Sequence, residues 1–192
     1  MPQFDILVVY DIEKFFNVKI TPYARFDDEI ELIYDNKIPI PALSFLNKLK
    51  GIPSIVANPY MIPEDLSIQS HILSHEVGHI INKDIYIDPL TLNKVELYEK
   101  ECLADEVASE YINNNKDRFN LEPILNFFVE TCAIEQKALE DELYFLNKEL
   151  MNEKKYNDLT HIENRLDYIK FRIKNYKDDA INRINILQNI IV

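Results

Sequence analysis

Glycine is nearly absent from this chain, with only Gly51 and Gly78 in 192 residues. Phosphate-cradling loops built on several glycines are thereby excluded, as is a glycine-rich β architecture. Cysteine is equally scarce. Cys102 and Cys132 lie far apart in segments that read as helices, the pattern of free thiols in a reducing compartment. Basic residues are outnumbered, 21 against 33 acids, for a net charge of −12. Phosphate backbones and anionic membrane surfaces call for clustered Lys and Arg, so direct nucleic-acid binding and membrane binding are disfavoured. No apolar run reaches the roughly 18 residues of a membrane span. The first residues, MPQFDILVVYDIEKFF, carry no basic segment and are interrupted by acids, unlike a signal peptide. The expected location is the cytoplasm.

Apolar residues make up 47% of the chain, enough for a real core. Phe4, Val8, Ile12 and Phe15/Phe16 recur at helical spacing, which predicts a helix over 4–16. Strand signals follow at 18–20, at 29–34 with alternating Ile30, Leu32 and Tyr34, and at the β-branched run 52–57. Between them, Pro41 and Gly51 bracket a segment, 41–50, that reads as a short helix. Further helices are expected from Pro63 to about Asn82, over about 92–114, and over 121–135. In the last third, Leu139, Leu143, Leu146 and Leu150 form one apolar stripe. A second runs from Ile162 to Ile191 behind the capping-box pattern Thr160–Glu163. The expected architecture is α+β: a mainly helical core with a small sheet over 1–137, then an antiparallel helical hairpin over 138–192 suited to self-association or partner docking.

Histidine, with four copies, is rare but concentrated: three fall in HILSHEVGH, residues 71–79. His75, Glu76 and His79 spell H-E-x-x-H. On a helix, residues four apart lie about 6 Å apart along the axis and about 40° around it, so two imidazoles can converge on one ion. Zinc takes imidazole nitrogen at about 2.0–2.1 Å and lowers the pKa of a bound water toward ~7. Glu76, rotated by about 100°, falls beside that water instead of on the metal, where it can take and return a proton. His71 lies about 12 Å along the axis from His79 and cannot share the same ion. It is expected next to the ligands or in the cleft wall, with stabilisation of the transition state as the alternative role.

Two histidines leave a catalytic zinc one protein ligand short. The segment EKECLADEVASEYI, 99–112, offers Glu101, with Glu99 and Glu106 as competitors. The small Ala104 and Ala108 favour Glu101 by permitting close helix approach. Asp105, four residues on, can accept a hydrogen bond from the far nitrogen of a ligand histidine and fix its tautomer. Tyr60, Tyr86 and Tyr98 are candidate oxyanion donors, and His161 reads as a surface residue.

Taken together, VANPYMIPEDLSIQSHILSHEVGHI and EKECLADEVASEYI resemble the core of the ImmA/IrrE-type metallopeptidases, a group of bacterial and phage-related gluzincins. The resemblance covers about residues 52–112. It implies a zincin-like fold, zinc held by His75, His79 and Glu101, and Glu76 as general base. It further implies an intracellular endopeptidase acting on a protein substrate such as a helix-turn-helix DNA-binding repressor, in a stress or mobile-element switch. The chain departs from the family at Leu103-Ala104-Asp105, where Glu-Ala-Asn is frequent, and lacks the usual Leu-Met-Pro after this helix. A metallopeptidase-like binding module with non-catalytic zinc is the alternative function. Structural zinc normally has four protein ligands, often cysteine, and Cys102, adjacent to Glu101, points about 100° away.

Overall fold

The structure, a computed structural model, describes residues 3–88, 91–151, 170 and 185–186. The chain divides into two compact units, one of Met1–Ile124 with Ile186–Val192 and one of Leu125–Asn185. Among the described residues the fold is α+β, with four α-helices and one four-stranded sheet. No helix among them is long and apolar enough to cross a membrane.

Helix α1, Ile6–Phe16, starts at Asp5, whose carboxylate accepts from the Leu7 amide, and ends at Asn17 in the left-handed region. Its inner stripe, Val8 and Ile12, is buried. Three strands follow the sequence pattern closely: β1 is Lys19–Thr21, β2 Glu29–Tyr34 and β4 Ile52–Ala57. With β3, Ala42–Asn47, the sheet order is β1-β2-β4-β3. β1 and β2 run parallel, as do β2 and β4, while β3 is antiparallel to β4. Every residue of β4 is buried, which explains why its sequence is a run and not an alternation.

The segment 41–50 is not a helix. Ala42–Asn47 is strand β3, paired with β4 from Ala42↔Ala57 to Asn47↔Ile52. Pro41 and Gly51 bracket a strand and its turn. Gly51, at φ +71, closes a four-residue hairpin loop in which its amide donates to the Asn47 carbonyl at 2.7 Å. Local helix punctuation lost here to pairing with a fully buried neighbour strand.

Helix α2, Leu66–Ile81, starts at Asp65, whose side chain accepts from Ser67 and Ile68. Eleven of its 16 residues are buried, so it is the core helix. Gln69 ties it to the chain start, accepting from the Asp5 amide at 2.7 Å and donating to the Pro63 carbonyl at 2.8 Å. A 3₁₀ turn, Asp84–Tyr86, follows Lys83, which takes the left-handed φ of 62. Helix α3, Lys94–Asn114, opens on a reciprocal capping box between Asn93 and Glu96. Ala104, Ala108, Tyr111 and Ile112 form its buried side.

Helix α4 is longer than expected. It runs unbroken from Leu121 to Met151, because Glu135-Gln136-Lys137-Ala138 are all good helix formers and supply no stop. The boundary expected at 137 falls inside it. Of the second helix expected in the hairpin only residues 170 and 185–186 are described, and all three are helical; Thr160–Glu163, including His161, lie outside the described residues.

Candidate metal centre

Helices α2 and α3 meet at Gly78. A Cβ built there would lie 3.1 Å from both the Cα and the carbonyl oxygen of Ala104, and 3.2 Å from Val107 Cβ. The missing side chain lets the two backbones come this close, and the approach brings Glu101, one turn before Ala104, level with His75 and His79. These three residues each offer one ligand atom, and the atoms all lie within 4.8 Å of one another.

The spacing is that of a single small ion. His75 Nε2 and His79 Nε2 are 3.2 Å apart, and Glu101 oxygens lie 3.5 Å from the first and 3.7 Å from the second. Tetrahedral donors at zinc bond lengths stand about 3.3–3.4 Å apart. Glu101 turns Oε2 toward His75 and Oε1 toward His79, so the donor set comes close to the spacing that zinc needs.

Hydrogen bonding behind the triangle points the same way. His75 Nδ1 faces Asp105 Oδ1 at 2.9 Å, and His79 Nδ1 faces Asp84 Oδ2 at 3.0 Å. A carboxylate can only accept, so both Nδ1 atoms carry the proton and both Nε2 atoms present lone pairs. Two lone pairs and a carboxylate converging at these distances repel unless a cation lies between them. With no metal, a proton has to serve. Burial pulls the His75 imidazole down, but Asp105 and Glu101 outweigh it and push its pKa up to about 10. The same groups that hold that proton would hold a divalent ion in its place.

Asp105 is fully buried, and the His75 and His79 side chains are 13% exposed. Glu101, at 37%, is the solvent side of the triangle. Glu76, next to His75 on α2, is buried. His71 is also buried, its ring centre 6.2 Å from that of His75, and it is not part of the donor group. Tyr60 and Tyr86 are exposed and Tyr98 is half-buried on α3; the triangle forms without them. Glu99 and Glu106, the rival acids of α3, do not belong to it either.

Two contributors escape the sequence pattern. Asp84 comes from the 3₁₀ turn, and Lys100 Nζ, on α3 beside Glu101, holds its other oxygen at 2.7 Å. The only sequence signal was an acid five residues after His79. Its position depends on the chain reversal at Lys83, which no local pattern announces. No family model matches the chain, and no curated protein or solved structure matches it.

Proposed function

We propose that the chain is a zinc-dependent endopeptidase that hydrolyses a peptide bond in a specific protein. The observation that carries this reading is the His75–His79–Glu101 triangle, sized for zinc, with both histidines held from behind and Glu76 at the adjacent position. A zinc ion held there would act as a Lewis acid toward water and the peptide carbonyl. Glu76 accepts the proton of the attacking water and returns it to the leaving amine. Asp105 keeps His75 in the tautomer that leaves Nε2 available.

Among the described residues three protein donors converge, with Glu101 on the solvent side, which favours an open catalytic position over a closed structural site. The resemblance to ImmA/IrrE-type metallopeptidases suggests a helix-turn-helix repressor as substrate and the cytoplasm as the place of action. A basic DNA-binding partner suits a chain of net charge −12. Residues 138–192 are proposed to dock that partner or a second copy.

The test compares the parent chain with Glu76→Gln, by elemental analysis for zinc and by mapping new protein N-termini in cells expressing each. One zinc per chain in both is expected, with cleavage reduced about 10²-fold or more in the variant. A variant that cleaves as the parent does, or a parent without zinc, would refute the reading.

A further inference from the structure

His75 and His79 are held by different means. Asp105, the partner of His75, sits fully buried on α3, the helix that also carries Glu101. Asp84, the partner of His79, lies on the three-residue 3₁₀ turn beyond the end of α2. Asp84 Oδ2 faces His79 Nδ1 at 3.0 Å while Oδ1 receives Lys100 Nζ at 2.7 Å. The Asp84 side chain is 9% exposed and that of Lys100 21%, so the pair is shielded from the screening that makes surface ion pairs weak.

We propose that Asp84 and Lys100 form a clamp on His79. Asp84 is a positioning residue that orients the imidazole and fixes its tautomer, and Lys100 holds Asp84 in register with the ligand helix. The inference rests on the zinc reading of the triangle. Helix α3 then reaches the ion twice: directly through Glu101, and through Lys100, Asp84 and His79 from the other side. The 3₁₀ turn becomes part of the metal centre, and its carboxylate makes His79 a stronger donor by sharing the Nδ1 proton.

The experiment measures zinc affinity of the full chain by competition with a chromophoric chelator, alongside the Nδ1 proton resonance of His79 in ¹⁵N-histidine-labelled, zinc-loaded protein. Asp84→Ala is expected to weaken zinc binding by roughly 10–100-fold, the cost of losing a carboxylate behind a ligand histidine. The hydrogen-bonded Nδ1 signal should disappear with it. Asp84→Asn, whose amide oxygen can still accept from Nδ1, should recover part of both. Lys100→Met should weaken binding by a smaller factor, and Lys100→Arg should restore it. If Asp84→Ala does not fold, the Lys100 pair alone decides. Parent-like affinity and an unchanged Nδ1 signal in Asp84→Ala, or equal affinity for Lys100→Met and Lys100→Arg, would overturn the clamp while leaving the zinc reading standing. A parent chain that binds no zinc would overturn both.

Discussion

Gly78 on α2 faces the backbone of Ala104 on α3 so closely that a methyl group there would lie 3.1 Å from the Ala104 Cα and carbonyl oxygen, tighter than ordinary packing. The contact sits between the two histidine positions and the glutamate that complete the triangle, so it sets the distance on which metal binding depends. Gly78→Ala would gain about 1 kcal/mol of intrinsic helix propensity. Against that, overpacking typically costs about 1–3 kcal/mol. The obstructing atoms belong to the Ala104 backbone, so α3 must move by a few tenths of an ångström. Zinc affinity should therefore fall by more than the melting temperature of the zinc-free chain would suggest. Chelator competition and thermal melts on the same samples measure both, and an unchanged affinity would show that the approach is not what spaces the donors.

The acids of α3 are separable by substitution. Glu101→Ala removes one corner of the triangle and should largely abolish stoichiometric zinc. Glu99→Ala and Glu106→Ala should retain it, since neither contributes a donor. Elemental analysis after gel filtration decides. Equal loss in all three variants would place the third ligand elsewhere.

His79→Ala leaves only His75 and Glu101 as ligands and should strip the ion at micromolar free zinc. His71→Ala, at a buried position outside the triangle, should keep it at a cost in stability. Zinc lost equally from both would mean that His71 is a ligand after all.

Proton exchange gives an independent handle. In the zinc-free chain the His75 pKa is pushed up to about 10 by Asp105 and Glu101, against an ordinary value of 6.5. A raised pKa means that protonated His75 stabilises the zinc-free fold fully below about 6.5, and that this contribution is lost as pH rises through 10. Zinc must displace the same proton. Binding near neutral pH should therefore release a proton, and affinity should rise about tenfold per pH unit from this site alone. Calorimetry in buffers of different ionisation enthalpy measures the released proton directly; a heat independent of buffer would contradict the assignment.

The sequence made the centre legible where its geometry is helical. His75 and His79 on α2, and Glu101 and Asp105 on α3, are each related by one helical turn, and helix spacing carries that information. Asp84 and Lys100 were not legible, because their meeting depends on a left-handed Lys83 and on how α3 returns past α2. In the sheet, β2 and β4 could be read from β-branched composition, but β3 could not. ALSFLN between a proline and a glycine looks like a helix until the antiparallel pairing with β4 is known. The helix stop expected after residue 135 had no breaker to enforce it, and α4 runs through.

The donors come from both sides of the connection that joins α2 to α3, with His79 near the end of one helix and Glu101 near the start of the other. An ion bound by both closes that stretch of chain into a ring, as a disulfide would, but a ring that opens and shuts with the free zinc concentration. Docking of the two helices and occupancy of the centre would then be coupled, each favouring the other. The melting temperature of this protein is accordingly not a property of the chain alone: it should climb steadily with the logarithm of buffered zinc, and a chelator should act on it as a mild denaturant.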